Sequence, residues 1–372
     1  MTRSDIRSDL LQYIHPTAGQ SSEVSYALNG LSFNDLALRI FQYQCAQNRP
    51  YRTFCEAWGR THDPVRRWED IPPLPVAAFK VADVACRPFS EAVRVFYSSG
   101  TTQSPRSRHA LFDPELSEAA ILSHFARHLM PEGRKMRLFI LAPSPADAPQ
   151  ASLSHMMEVV RQLFGTEGSH FYVERGRLQM ERLVYDLAEA DTPVCLLGTS
   201  FSFVHLMDHY ANHGFPSILP EGSRMMDTGG FKGRSREVSR EWIYATAERL
   251  WGIRPENCVN EYGMAELTSQ FYDGVVGKGR MDDLPRVHVA PPHLRTRILS
   301  HETLQPVKQG EVGLLAHYDL ANLDSAVAIL TEDLGREAEG GFVLLGRAAG
   351  APDRGCSLRI EELGWGAVAD VG

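Results

Sequence analysis

No two cysteines in the sequence are separated by just two residues, which excludes a zinc ribbon and a thioredoxin-like redox pair. The six present, Cys45, Cys55, Cys86, Cys195, Cys258 and Cys356, are too few in 372 residues to require a disulfide framework. No apolar run approaches bilayer length, and the polar start Met1-Thr-Arg-Ser-Asp is unlike a secretory leader. The expectation is a soluble, cytoplasmic protein without membrane insertion. Excess positive charge is missing too. With 38 basic and 46 acidic side chains the net charge is −8, which disfavours broad affinity for nucleic acid while leaving room for a local basic pocket. There is no internal repeat, no low-complexity segment and no Walker A loop ending in Gly-Lys-Ser/Thr.

What is there is ordinary globular material. Hydrophobic residues make up 43% and charged residues 23%, enough to bury a core. The length allows two or three units or one large α/β core. The first ninety or so residues look helical, with Ser32-Phe-Asn-Asp35 as a cap and Ile71-Pro-Pro-Leu-Pro75 as an extended break. From Val93 onward, short apolar runs at 93–97, 136–142, 170–173, 194–197 and 225–227 alternate with amphipathic stretches. One such stretch, 113–129, has Asp113 to cap it and Pro114 in its first turn. This alternation predicts an α/β fold, parallel strands covered by helices. After about Leu284 short β-like runs and Gly-containing turns predict a smaller antiparallel region. The expected division is one domain over 1–345, with a helical part at 1–90, an α/β core at 91–284 and a β-rich part at 285–345. A short segment, 346–372, carries Cys356.

Several segments hold residues suited to chemistry. Val95-Phe-Tyr-Ser-Ser-Gly-Thr-Thr102 is a strand running into a loop. Ser98, Ser99, Thr101 and Thr102 offer hydroxyls and Gly100 lets backbone N–H groups approach an anion, so the loop can cradle phosphates. It reads equally as a Ser/Thr-rich turn. In Asn260-Glu-Tyr-Gly-Met-Ala-Glu266, Tyr262 can cover a base and Glu266 can hold Mg²⁺ against phosphate; the alternative is a capped helix start with Glu266 solvated. In Thr331-Glu-Asp-Leu-Gly-Arg336, Asp333 can accept both hydroxyls of a ribose, reinforced by Arg347, or the segment is a polar turn.

Gly198-Thr-Ser-Phe-Ser-Phe203 and Ser154-His-Met-Met157 suggest an apolar channel for a fatty or aromatic acid. It would be lined by Thr199, Ser200, Phe201, Phe203, His155, Met156 and Met157. Apolar residues at helical spacing serve as well for core. His205, His209 and His213 cover about 12 Å of helix axis, too far to grip one ion, and read as surface or packing residues, as do His124 and His128. Cys356 stands between Arg354 and Arg359, which favour a thiolate, and Gly350 and Gly355 would let its segment move. On residues alone it is as readily a small core residue, the reading given to the other five cysteines.

Taken in order, Tyr-Ser-Ser-Gly-Thr-Thr102, Asp227-Thr-Gly-Gly-Phe231, Asn-Glu-Tyr-Gly-Met-Ala-Glu266 and Thr-Glu-Asp-Leu-Gly-Arg336 resemble the adenylate-forming superfamily of acyl ligases and luciferases over residues 95–362. Further stretches are similar to the LuxE-type acyl-protein synthetases of bacterial fatty-acid reductase complexes. They are Ile71-Pro-Pro-Leu-Pro-Val-Ala-Ala-Phe-Lys80, Leu141-Ala-Pro-Ser-Pro145, Thr228-Gly-Gly-Phe-Lys-Gly-Arg-Ser-Arg236 and Arg354-Gly-Cys-Ser-Leu358.

The resemblance implies the N-terminal-domain type of that superfamily, helix-covered sheets with a smaller β subdomain. It also implies that the chain stops before the usual C-terminal domain of about a hundred residues. The first loop, Ser98 to Thr102, would hold the phosphates of ATP, assisted by Arg106 or His109. Gly229, Gly230, Phe231, Glu261, Tyr262 and Gly263 would frame adenine. Glu266 would bind Mg²⁺, Asp333 the ribose, and Cys356 would accept the acyl group as a thioester. Gln103, Arg106 and Ala265 depart from the Gly, Lys and Thr common there, so the phosphate contacts differ in detail.

The activity implied is ATP-dependent formation of an acyl-AMP, self-acylation and hand-over to a partner such as an acyl reductase. Two alternatives stand beside it. One is direct transfer to coenzyme A or a carrier protein; the other is a nucleotide-binding module without turnover.

Overall fold

The computed structural model describes residues 2–14, 31–58, 65–98, 105–213, 217–229, 236–278 and 285–347. Its strands, in chain order, are β1 Leu74–Pro75, β2 Arg94–Tyr97, β3 Arg108–Leu111, β4 Arg137–Pro143 and β5 His170–Glu174. There follow β6 Arg177–Leu178, β7 Val194–Thr199, β8 Arg224–Thr228, β9 Cys258–Tyr262 and β10 Phe271–Tyr272. The last four are β11 Leu294–Leu299, β12 Val312–Asp319, β13 Ala328–Ala338 and β14 Gly341–Arg347. The fold is α/β, and the chain forms two units that interleave along the sequence.

One unit comprises Met1–Ala120, Met264–Ser269 and Ala290–Gly372. Its sheet runs β1-β13-β12-β11, and β14 also pairs with the long β13. The β11–β14 ladder is antiparallel, as the late change in sequence character predicts. The Pro-rich break supplies β1, which lies parallel to β13 with Leu74 opposite Ile329.

The helices of this unit start where the caps say they should. Ser32 and Asp35 form a reciprocal capping box at the start of Phe33–Gln47, a cap contributing about 1 kcal/mol. That helix carries a fully buried amide, Gln44, whose Nε2 donates to Asn322 O at 2.7 Å and whose Oε1 accepts from Val327 N at 2.8 Å. A buried amide with its donors and acceptors satisfied fixes the register of the 322–327 loop, where an apolar residue would leave backbone groups orphaned. Asn48 caps the next helix, Arg49–Ala57, and donates to Ser325 O at 3.0 Å.

The other unit comprises Ile121–Gly263 and Gln270–Val289. Its sheet has the order β10-β9-β8-β7-β4-β5-β6. The inner strands β9, β8, β7, β4 and β5 are parallel and the short edges β10 and β6 antiparallel. Alternate residues of the strands face two separate cores. Leu138, Ile140, Cys195, Leu197 and Met226 meet the helices Pro114–Leu129 and Ser152–Phe164 on one face. Phe139, Leu141, Val194, Leu196 and Met225 meet Met180–Ala188, Ser200–His213 and Arg240–Trp251 on the other. Of the five described cysteines, Cys55, Cys195 and Cys258 are buried as expected, whereas Cys45 and Cys86 are half-buried.

Candidate functional site

In the first unit the chemistry gathers where the hairpin β2–β3 meets the turn at 264–269. Antiparallel pairing of Tyr97 with Arg108 brings the two ends of the 98–107 loop together. Ser98 N donates to Ser107 O at 3.1 Å, and Ser107 N donates to Ser98 Oγ at 3.0 Å. Arg106 sits across this base, donating through Nε to Ser98 O at 2.6 Å with its guanidinium 5.2 Å from the Tyr97 ring. Its aliphatic stem and planar head are held there while the side chain remains exposed. Ser99, Gly100, Thr101 and Thr102, with Gln103, lie outside the described residues.

Glu266 is 3% exposed. Burial pushes its carboxyl above the usual carboxylate range, offset by a hydrogen bond from the Ser107 hydroxyl and by the charges of Arg347 and Lys80. A single desolvated carboxylate could supply one ligand to an ion shared with phosphate, and the nearby Arg347 and Lys80 charges suit the phosphate rather than the ion. Mg²⁺ is usually held that way, by one or two carboxylates plus phosphates and water. The described residues contain no group of three or more His, Cys, Asp or Glu side chains able to cage a metal.

His109 comes to the same place but in a different role from the one expected. It is 7% exposed, and its Nδ1 donates to Ala265 O at 2.8 Å. Burial lowers its pKa to about 4, so at neutral pH it is an uncharged donor that ties β3 to the Glu266 turn. It supplies no positive charge for a phosphate. Asp333 and Arg347 face each other across β13 and β14, with Nε 3.6 Å from Oδ1. Thr331 Oγ1 accepts from Asp333 N at 3.0 Å, which fixes the backbone that presents the carboxylate.

In the second unit, the carboxyl ends of β7, β8 and β9 hold a buried polar cluster. Asp227, 1% exposed, accepts from Tyr244 Oη at 2.5 Å, Ser200 Oγ at 2.8 Å and Asn260 Nδ2 at 3.0 Å. Burial raises its pKa, opposed by Arg240 and by these donors. Ser200 Oγ also lies 3.1 Å from Gly229 O, so the Asp227 cluster braces the turn that follows β8. Gly229 has φ +69°, a left-handed conformation that glycine accepts without strain. Thr199 Oγ1 accepts from Ser202 N at 3.3 Å and starts the helix Ser200–His213.

Beside Asp227, Thr228 Oγ1 donates to the carboxylate of its cross-strand neighbour Glu261. Glu261 is 5% exposed, and burial pushes its carboxyl up to about 7 against the pull of that hydroxyl. A Cβ at Gly263 would lie 2.4 Å from Glu261 Oε1, so a larger residue there would push the carboxylate aside. Tyr262 packs at 5.6 Å from the Phe271 ring and edge-on to His288 at 5.9 Å.

The expected acid channel does not form as a single lining. Met156 and Met157 are buried in the core on one face of the seven-stranded sheet, and Phe203 is buried in the core on the other, its ring 6.4 Å from that of Trp251. The strands separate them, because the helix bearing the methionines and the helix bearing Phe203 cover opposite faces. His155 and Phe201 are half-buried. His124 and His128 pack against Tyr272, at 5.2 and 5.1 Å, while His205 is exposed. Gly230, Phe231 and Cys356 lie outside the described residues.

Three contributors have no role in the sequence-based reading. Ser107 is reached only once β3 is known to pair with β2. Asp319 and Asn322, at the end of β12, bind the backbone of the 264–269 turn. Both stand in a segment, Asp319-Leu-Ala-Asn-Leu-Asp324, whose turn-forming composition is its one visible signal.

A family model described as acyl-protein synthetase, LuxE, matches residues 18–363. The long-chain-fatty-acid–luciferin-component ligase of Aliivibrio fischeri is 24% identical over 310 residues, 81% of this chain and 78% of that protein. The ligase of the same description from Vibrio harveyi is 23% identical over 339 residues, 87% of this chain and 85% of that one. Among solved structures, an open conformation of 2-hydroxyisobutyryl-CoA ligase in complex with 2-HIB-AMP and CoA superposes with a TM-score of 0.63 at 17% identity. It covers 86% of this chain and 75% of that one, a likeness of fold. The same ligase in its postadenylation state gives a TM-score of 0.61 at 16% identity.

Proposed function

The chain belongs to the LuxE family of acyl-protein synthetases and is a ligase, and from that premise we propose that it activates a carboxylic acid with ATP and carries the acyl group on Cys356. The observation that most supports this reading is the tie between the buried Glu266 carboxylate and the base of the 98–107 loop. Ser107 N donates to Ser98 Oγ at 3.0 Å, and the Ser107 hydroxyl stands beside the Glu266 carboxyl and lowers its pKa, so the carboxylate suited to a metal lies next to the base from which the Ser98–Thr102 segment departs.

In the first step the acid's carboxylate oxygen attacks the α-phosphate of ATP, a mixed anhydride forms and pyrophosphate leaves. Mg²⁺, when bound, would neutralise charge on the phosphates, and Glu266 is the residue to hold it. Ser98 to Thr102 would donate hydrogen bonds to the same oxygens, Arg106 standing at the loop's base as the fixed positive charge. Asp333, backed by Arg347, would accept from the ribose hydroxyls. Gly229, Gly230, Phe231, Glu261, Tyr262 and Gly263 would frame adenine. Thr199 and Ser200, where β7 enters its helix, remain the candidates to meet the acid's carboxylate. Neutral His109 keeps its proton on Nδ1 and holds the Glu266 turn in place.

In the second step the Cys356 thiolate attacks the activated carbonyl, the thioester forms and AMP leaves. The acyl group would then pass to a partner protein, an acyl reductase or carrier. The substrate class proposed is a fatty or aromatic acid, the fatty acid being the one named for the two ligases above.

Cys356→Ser tests the division of labour. The variant should retain acid-dependent ATP–pyrophosphate exchange and lose acyl labelling of the protein. Labelled coenzyme A or carrier formed equally well by the variant would move the acceptor thiol off this chain.

A further inference from the structure

The turn that bears Glu266 is short and irregular, and within it Leu267 N donates to Met264 O at 3.2 Å. Besides His109, which holds Ala265 O from β3, two side chains of one loop fix the turn's geometry from outside. Asp319, fully buried, accepts from Thr268 N at 3.1 Å, Ser269 N at 2.8 Å and Ser269 Oγ at 2.8 Å, and also from Ala321 N of its own loop at 3.0 Å. His293 Nε2 lies 3.1 Å from the same Ser269 hydroxyl. Asn322, 2% exposed, uses both ends of its amide. Its Oδ1 accepts from Thr268 N at 2.9 Å and Thr268 Oγ1 at 2.7 Å, and its Nδ2 donates to the backbone carbonyl of Glu266 at 2.9 Å.

The loop carrying these two residues is itself immobilised from behind. Gln44 reads the carbonyls of Asn322 and Leu323 at 2.7 and 3.0 Å, and Asn48 reads that of Ser325 at 3.0 Å. A buried amide that contacts the Glu266 backbone and the residue two further on sets the direction in which the Glu266 side chain leaves the turn. Such a cluster costs more in desolvation than an apolar filling of the same space unless all its members are paired.

We propose that Asp319 and Asn322 are positioning residues that hold the 264–269 turn so that the Glu266 carboxylate is preset for a divalent cation carried by a nucleotide. The inference rests on the assignment of Glu266 above. It goes beyond that assignment by locating the control of metal affinity in a loop that does not itself offer a ligand.

The test uses the full chain and Mn²⁺ as a probe, with ATP binding measured calorimetrically in the presence of Mn²⁺ or of EDTA, beside thermal unfolding of each protein. Asn322→Ala and the gentler Thr268→Val should weaken Mn²⁺ binding in the presence of ATP by about three- to tenfold, the range of one or two lost hydrogen bonds. ATP binding in EDTA should stay at the wild-type value. Thr268→Ser keeps the hydroxyl and should restore Mn²⁺ affinity, a rescue that a general loss of packing would not show. If Thr268→Val leaves Mn²⁺ affinity unchanged, or lowers it only in step with metal-free ATP binding, the loop is structural and the proposal fails. Glu266→Gln separates this from failure of the underlying assignment. If it sharply weakens Mn²⁺ binding while Thr268→Val does not, the positioning role alone is overturned; if it leaves Mn²⁺ binding intact, both fall.

Discussion

Glu261 offers a quantitative test of the electrostatics. Its carboxyl is 5% exposed in β9 with the Thr228 hydroxyl as hydrogen-bond partner, and burial raises its pKa from 4.5 to about 7. Below pH 4.5 the carboxyl is neutral whether the chain is folded or not, and its burial carries no penalty for charge. Between 4.5 and about 7 the unfolded chain has lost the proton while the native state keeps it. Native protein then binds more protons than unfolded protein, and stability falls as pH rises.

Above about pH 7 the loss is complete. At 1.36 kcal/mol per pH unit this interval corresponds to about 3 kcal/mol. Glu261→Gln keeps an oxygen to accept from Thr228 and removes the ionisation. The variant should match the wild type near pH 4.5 and exceed it by up to about 3 kcal/mol at pH 8. Urea unfolding followed by tryptophan fluorescence, repeated from pH 4.5 to 8.5, reads the difference directly. A difference that stays constant across this range, or a variant less stable than wild type at pH 8, would refute the reasoning.

Asp333→Asn removes the charged acceptor assigned to the ribose while leaving a half-buried position that the β13–β14 ladder still frames. ATP affinity should fall by about ten- to a hundredfold, the equivalent of one charged hydrogen bond, and calorimetric titration would show it. His109→Asn retains an N–H able to reach Ala265 O and should keep most of the pyrophosphate-releasing activity, whereas His109→Ala should lose both activity and stability. Because the His109 pKa lies at about 4, the wild-type rate should show no limb from this group between pH 6 and 8. A limb in that range that disappears in His109→Asn would count against a neutral imidazole.

Much of the architecture could be read from the residues. The strand–helix alternation, the Ser32 capping box and the late antiparallel region depend on local patterns that survive into the fold. β3 was harder to see. Arg108-His-Ala-Leu111 lacks an apolar run, and without it the loop base and Ser107 stay invisible. The same holds for Asp319 and Asn322. They act on backbone about fifty residues away, a pairing that no local period encodes. The acid channel failed for the opposite reason: Met156, Met157 and Phe203 have the right chemistry, but apolar residues on helices go to whichever sheet face their helix covers. The sequence places His109 beside the phosphate loop, but the burial that keeps its ring neutral is not written in its neighbours. The motifs around Glu266, Asp333 and Asp227 mark the places where side chains converge. They say less about which groups brace them.

The most direct test of the account is the intact mass of the protein after incubation with ATP, Mg²⁺ and a panel of carboxylic acids. The expected result is a hydroxylamine-labile gain of one acyl group that maps to Cys356 and vanishes in Cys356→Ser while pyrophosphate release continues. Pyrophosphate release with no covalent gain on the wild-type chain would contradict it and assign the accepting thiol to another molecule.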